Sequence, residues 1–443
     1  MPRPRMGYPQ AARWRAGPLQ PRLWLLVLCC SAAPSASAQD SLTLHSDLTV
    51  LSYATWNRLN QDALANPDNL IAQLPRRQME LAPRPDFSLT TSSCFFQFKP
   101  RAFLSARGES FATGDQHTSG DAYVNEARLS CSLPNALNLE LGRGTLLWGN
   151  AVLLSPSNPF FPETGKTDPV NEVFGKDFAR ATLALAEHWQ IEGMRSVSSN
   201  SRDMSAQHFS PISAVKLNWT AEAATASLLA SKRDNGVRRL GAYGTLTVSD
   251  AWLLYLDGSL GQGRDIPLPV APTAQTRAWH FEHQPMADRR LRKSLLLGSG
   301  YTLESGWTHT LEALYNGDGY SPSEREDYQR AIGQSNAALM LGDDNAAQVL
   351  GQALLTARQG LLGQRYAMYQ IDRNDWFNTW DLALRYTQAF DSPRGGNLAL
   401  SLNYKMNDHS ELFTFAQWNT GNGQSEFAQL SRSSVISGIR YYF

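Results

Sequence analysis

The chain is poor in the features that would staple it with disulfides, hinge it into modules or carry it through a bilayer as helices. It has four cysteines in 443 residues, and two of them, Cys29 and Cys30, lie in the first 40 positions. Cys94 and Cys131 remain, too few for a disulfide framework. One bridge between them is open in an oxidising compartment, and so is a pair of separate buried thiols. Nothing beyond the first 40 positions approaches 18 uninterrupted apolar residues, which excludes transmembrane helices. No Pro/Ser-rich linker divides the rest, so a single domain over 39–443 is the simpler reading. An excess of one charge is missing as well, with 40 basic residues against 40 acidic.

The N-terminus does have a pattern. Arg3, Arg5, Arg13, Arg15 and Arg22 precede any acid, the apolar run Leu23 to Cys30 follows, and Ala36-Ser37-Ala38 ends it. A basic region, a short apolar region and an A-x-A site describe a secretory signal peptide over 1–38. A membrane anchor would need about 20 apolar residues. Cleavage removes five arginines and leaves 35 basic against 40 acidic residues, a balance of −5. An acidic exported chain argues against nucleic acid as a partner.

What the chain has in abundance is alternation. Leu398, Leu400, Leu402, Tyr404 and Met406 share one face of a run whose other face is Ala399, Ser401, Asn403 and Lys405. Trp380, Leu382, Leu384 and Tyr386 alternate with Asp381, Ala383 and Arg385 in the same way. Such runs are strands with one apolar and one polar face. Their length, about 10 residues, is what a tilted strand needs to cross hydrocarbon, and aromatics sit near their ends as interfacial girdles do.

The connections alternate too. Short turns are expected near Ser93-Cys94, Pro134-Asn135, Glu187-His188, Asn218 to Ala221, Ser249-Asp250, Glu304-Ser305, Asp372 to Asp375 and Asn407 to Ser410. Long polar loops fall near 108–120, 148–177, 198–211, 261–291, 316–364 and 419–431. Short turns at one end and long loops at the other characterise bacterial outer-membrane barrels. The expectation is an all-β, antiparallel, up-and-down transmembrane barrel of about 18 strands, or 16 if the N-terminal pair lies outside the wall. Ser321-Pro-Ser-Glu324 is a capping-box pattern that opens a helical stretch to about Met340 inside the 316–364 loop. Parity puts Cys94 and Cys131 both near short turns, close enough to bridge. The last strand places Tyr441 and Phe443 on its apolar face. It resembles the terminal strand of proteobacterial outer-membrane proteins, whose final phenylalanine is read by the barrel-assembly machinery.

Several barrel functions are excluded on this reading. The first strand-like run begins at Ser41, which leaves no room for the plug of a TonB-dependent transporter, and no autotransporter passenger is present. Catalysis is not expected: the eight histidines are scattered and none adjoins a serine-centred motif. His280 and His283 form an H-x-x-H without a third ligand, weak grounds for a metal, and no cofactor is expected.

The stretch Gly142-Arg-Gly-Thr-Leu-Leu-Trp-Gly-Asn150 and onward to Asn158-Pro-Phe160 resembles the G-R-x-x-x-x-W-G…N-P segment of poorly characterised proteobacterial porin-like barrels. These are broadly similar in architecture to alginate-export-type channels. Asn125-Glu126-Ala127 and Tyr315-Asn-Gly-Asp-Gly-Tyr320 fit the same group, whereas Gly144 stands where it usually has Gln. Strict alternation places Arg143 with Leu139 and Leu141 towards lipid, so it either snorkels at the rim or is turned inward by a bulge at Gly142 or Gly144. The 150–162 loop either enters the mouth as a constriction or is a strand cap anchored by an interfacial Trp148. Glu126, Arg128, Glu140, Arg143, Asn158, Asp381, Arg385, Asn403 and Lys405 are the candidate pore-lining or constriction residues.

Their mixed charge points to passive diffusion of small polar solutes through a narrow channel. The alternatives are a plug-free barrel dedicated to export or import of one larger or hydrophobic compound, and an adhesive barrel whose loops bind surface partners. The solute and the oligomeric state are not encoded in any motif. Outer-membrane lipid and the assembly machinery are the expected partners.

Overall fold

The computed structural model describes residues 42–443 except 109–115, 168–169, 171, 200–208, 275, 277, 287–289 and 359–360. The expected signal peptide therefore lies outside the described residues. Among those described, eighteen antiparallel strands form one closed sheet. The wall runs β1 (Thr43–Leu59), β2 (Arg77–Thr90), β3 (Cys94–Gly108), β4 (Gln116–Leu133), β5 (Leu137–Gly144), β6 (Lys176–Ala186), β7 (Trp189–Ser199), β8 (Ile212–Thr220) and β9 (Ala224–Arg233). It continues with β10 (Arg238–Ser249) and β11 (Trp252–Gln262). The small hairpin β12 (Leu268–Val270) and β13 (His280–Glu282) stands outside the wall. Then come β14 (Leu291–Thr302), β15 (Thr308–Tyr315), β16 (Arg365–Trp376), β17 (Trp380–Ala389), β18 (Gly395–Asn407), β19 (Ser410–Gly421) and β20 (Ser431–Tyr442).

Each strand pairs with its sequence neighbour, and β1 closes the ring by pairing with β20 from Thr49↔Tyr442 to Leu59↔Ser431. The N-terminal pair is thus in the wall, and the count is 18, not 16. Closure leaves the sheet without free edges, the condition for it to cross hydrocarbon. Side chains sort by parity: Leu139, Leu141, Leu256 and Leu297 project from the outer face, while Glu140, Asp257, Ser294 and Glu312 are buried inside. Eight turns, such as 134–136, 187–188 and 408–409, gather at one end. Aromatics collect beside them, as in Trp189↔Trp219, Trp252↔Tyr301 and Trp380↔Tyr404.

Three features differ from the sequence expectation. The turn expected at Asn218 to Ala221 lies at 221–223, because Asn218 and Trp219 still pair with Gln190 and Trp189 of β7. The turn expected at Asp372 to Asp375 is strand: β16 runs to Trp376 through a bulge after Arg373, and the chain reverses at 377–379. Arg373 lies over the rings of Trp307 and Trp376, which holds this end in the sheet. The long connection 60–76 between β1 and β2 was not anticipated.

The 316–364 connection folds as a helical hairpin, α1 (Pro322–Met340) and α2 (Asp344–Arg358). The Ser321–Glu324 capping box starts α1 as its sequence predicts. Neither helix is long and apolar enough to cross a membrane. Tyr328, Ile332, Leu350, Ala353 and Leu354 bury their shared face with Ala65, Tyr320 and Leu362. The long-loop end is therefore capped by a small apolar core of its own.

Candidate functional site

The lumen is crossed by the connection 145–175 between β5 and β6. The chain leaves the wall beside Gly142, whose φ is +127°; a Cβ there would meet Ala127 O at 2.1 Å. It rejoins at Gly175, where a Cβ would meet Asn125 O at 2.2 Å. Only glycine tolerates such backbone approach. The first bend is built by Asn158, whose Oδ1 accepts from the N–H groups of Phe160 and Phe161 (both 3.0 Å) while Nδ2 donates to Leu146 O (2.7 Å). Asn158 is thus fully engaged inside the loop as a brace. Trp148 is not interfacial: it lies inward, stacked on Tyr243, with the Lys216 ammonium 4.7 Å from its ring.

Three wall sectors hold this strap. Near its start, Leu146, Phe160 and Phe161 pack on Phe178, Met194, Ile212, Ala214 and Leu229. Further along, Ala151 packs on Tyr255, Leu296, Leu314 and Tyr366, and there two buried carboxylates grip the backbone. Glu312, 0% exposed, accepts from Val152 N (2.6 Å), Leu153 N (2.9 Å) and the Tyr255 hydroxyl (2.7 Å). Asp257, 1% exposed, accepts from Ser155 Oγ (2.6 Å) and Ser157 N (2.7 Å). Charge-assisted bonds of this kind are about twice as strong as neutral ones. Arg385 then donates to the carbonyls of Lys166 (3.2 Å) and Thr167 (2.6 Å). On the ring, β17 stands nine strands from β6, half of eighteen, so the strap spans the lumen from wall to opposite wall. Its return is tied to β2 and β3. Arg84 donates to Val170 O (2.8 Å), and Arg101 meets Glu172 through Nε (2.6 Å) and Nη2 (2.9 Å).

The candidate charges distribute into three groups. Glu126, Arg128 and Glu140 belong to a chain of alternating sign along the inner wall. It runs Lys99–Glu126 (3.1 Å), Glu126–Arg128 (3.7 Å), Arg128–Glu140 (3.3 Å), Glu140–Arg180, Arg180–Glu192 (3.7 Å) and Glu192–Lys216 (2.9 Å). Arg180, Glu192 and Lys216 escaped the sequence reading, although each shares the inward parity of its strand. Asp381 and Lys405 form a separate group at the short-turn end, where Lys405 reaches Asp375 (2.5 Å) and Asp381 (3.6 Å). Asn403 is opposite Asp381 in the register. Arg143 needs no inward bulge. Opposite Ala127 and Asp177, it keeps the strand face of Leu139 and Leu141 and pairs with Asp177 at 2.7 and 2.9 Å.

Space remains beside the strap. A cavity of about 310 Å³ lies between its return and the β1–β4 wall, lined by Tyr53, Glu80, Arg84, Arg101, Arg107 and Glu172 among others. A second, of about 600 Å³, continues from Arg107 to the long-loop rim at Arg76 and His117.

Cys94 and Cys131 are direct partners in the β3–β4 register, with their sulfurs bonded at 2.13 Å. Tyr441 and Phe443 stack edge-to-face at the end of β20, ring centroids 4.6 Å apart. No group of three or more His, Cys, Asp or Glu side chains arranged for a metal occurs among the described residues.

This architecture defines a closed transmembrane-type barrel, and solved structures share that barrel fold. The chain is similar to Pseudomonas aeruginosa OpdL, at 11% identity and TM-score 0.52 over 90% of this chain and 98% of that one. It is similar to P. aeruginosa OccK5 (OpdH), at 11% identity and TM-score 0.51 with the same coverage. The outer membrane protein OpdK of P. aeruginosa aligns over 90% and 99% of the two chains, at 9% identity and TM-score 0.50. No protein-family model and no curated protein matches the chain. The shared property is the fold.

Proposed function

We propose that the protein is a porin-like channel of the bacterial outer membrane through which small polar solutes diffuse passively. One observation carries the reading. The strap spans the lumen and is pinned to the wall by buried carboxylates, yet cavities remain beside its return along the β1–β4 wall and up to the long-loop rim. A strap that narrows the lumen beside open, charge-lined space supports selection by pore width and lumen charge. In this reading solutes enter at the rim by Arg76 and pass Arg107 to the Arg84–Arg101–Glu172 cluster. They leave along the alternating charges from Lys99 to Lys216. The Gly142–Phe160 stretch, which resembles porin-like barrels of the alginate-export-like kind, is then the part that leaves the wall to build the constriction. The short-turn end faces the periplasm, where Cys94–Cys131 sits in an oxidising compartment.

Single-channel conductance of the refolded protein in a planar bilayer, with a salt gradient across it, tests the proposal. Stable open steps with modest ion preference are expected. Silence from demonstrably folded barrels would sink it and favour the dedicated-transporter alternative.

A further inference from the structure

We propose that the interface between β2 and β3 is a lateral port, through which a single-chain amphiphile with an anionic headgroup passes from the lumen into the surrounding hydrocarbon. This goes beyond axial diffusion and does not depend on it.

The wall has a gap in its ladder there. Rungs run from Arg77↔Gly108 to Leu81↔Leu104 and again from Phe87↔Phe98 to Thr90↔Phe95, in unchanged register. Between them, residues 82–86 and 99–103 make none. The same residues of β2 remain paired with β1, so the gap belongs to one interface. Its cause is in the sequence: Pro83, Pro85 and Pro100 have no N–H to donate, and the register sets Pro85 opposite Pro100. No rearrangement of these strands can zip it fully.

Unpaired carbonyls facing hydrocarbon are costly, and one side chain covers two of those at the gap. Arg101, 5% exposed, donates through Nη1 to Pro85 O (2.9 Å) and Pro100 O (3.0 Å) and contacts Asp86 at 2.8 Å. Its Nε and Nη2 hold Glu172 of the strap. The seam is therefore latched by a guanidinium tethered to a loop. Withdrawing Arg101 with the strap opens it without breaking a ladder bond between the two strands.

Both sides of the wall suit the traffic. Inside is the 310 Å³ cavity, where Arg84, Arg101 and Arg107 outnumber Glu80 and Glu172. Outside is a groove of about 660 Å³ with Met79, Leu81 and Leu104 above a floor that includes Ala54, Ala106 and Gly120. Tyr53 and Glu80 border both spaces, so a single strand layer separates them. An anionic head is held inside while a tail lies in the groove. Strand geometry bounds the traffic: the stretch without rungs is five residues long, about 17 Å at about 3.4 Å each, and rungs close it at both ends, so it suits one alkyl chain and not two abreast.

The test ties the seam. Ala82→Cys with Phe103→Cys places thiols opposite each other across the gap, in full-length protein reconstituted in phospholipid vesicles. The probe is dodecyl phosphate carrying a terminal fluorophore that brightens in hydrocarbon. Its entry is measured against protein-free vesicles, and the wild type is carried through the same oxidation and reduction to account for Cys94–Cys131. Entry above the protein-free rate is expected from the reduced variant, lost on oxidation and restored by reductant. Arg101→Ala, which removes the latch without cross-linking, should speed entry. Entry at the protein-free rate in the untied protein, or insensitive to the tie, overturns the proposal. So does an Arg101→Ala protein that delivers probe no faster than wild type.

Discussion

At the scale of single residues, the site depends on buried carboxylates whose two oxygens are both engaged. Glu312 accepts three donors from its two oxygens, two of them strap N–H groups. Glu312→Gln replaces one acceptor by an NH₂ that cannot serve them, and a buried donor left unsatisfied costs about 1–3 kcal/mol. A loss near 2 kcal/mol raises the undocked population of the strap by about 30-fold. Single-channel records of this variant should show frequent excursions to a larger conductance, whereas records as steady as wild type would mean the strap is held elsewhere. Glu140 makes a different case. It lies between Arg128 and Arg180 in a chain with four cations and three anions. Glu140→Gln leaves both guanidiniums without their shared partner and should move the reversal potential in a salt gradient towards anions. Arg128→Gln should move it the other way. No movement in either variant would place the chain of charges off the conducting path.

At the scale of elements, the cap over the long-loop end depends on one helix terminus. Glu324 accepts from Ser321 N (2.9 Å) to close the capping box of α1 and receives Arg264 through both terminal nitrogens (3.1 and 2.8 Å). Burial opposes its ionisation, but the Arg264 guanidinium and the Ser321 N–H overcome this and hold its pKa down at about 2. A carboxylate depressed in the folded state adds stability above its unfolded pKa of about 4.3, and that stability is lost as pH falls through the folded value. The protection of α1 amides, corrected for the pH dependence of intrinsic exchange, should therefore fall between about pH 4.3 and 2. In Arg264→Ala the folded-state pKa of Glu324 rises towards the unfolded one, so α1 should start less protected and change less across the same window. Protection that does not change over this window would mean that the apolar core of Tyr328 and Leu350 holds α1 alone. The capping box made α1 legible, whereas α2 carries no such signature. Its buried Ala346, Val349, Leu350, Ala353 and Leu354 do recur at helical spacing, a signal that could have found it.

At the scale of the whole molecule, legibility follows the range of the interaction. The ring could be read because strand alternation and turn spacing are local: Leu398 to Met406 show their face without reference to any other strand. The strap's anchors could not. Ser155 meets Asp257 across 102 positions and Val152 meets Glu312 across 160, and nothing near either end announces the partner. Arg385 was legible as an inward charge, but its work on the carbonyls of Lys166 and Thr167 was not. The end of the chain allows the two kinds of information to be separated. Phe443 is 70% exposed, and its inward anchorage is backbone, through its N–H to Leu48 O at 3.0 Å. Replacing it with alanine keeps that bond and the β1–β20 ladder, so a surface change of about 0.5 kcal/mol or less is expected. If the terminal aromatic pair is a signal for the assembly machinery, the same variant should reach the outer membrane of cells poorly. Refolding Phe443→Ala in detergent and comparing its melting with wild type, alongside its yield in isolated outer membranes, distinguishes the roles. Normal melting with a depleted membrane yield is the expected pair. Equal losses in both would make Phe443 a structural residue of the seam between the first and last strands.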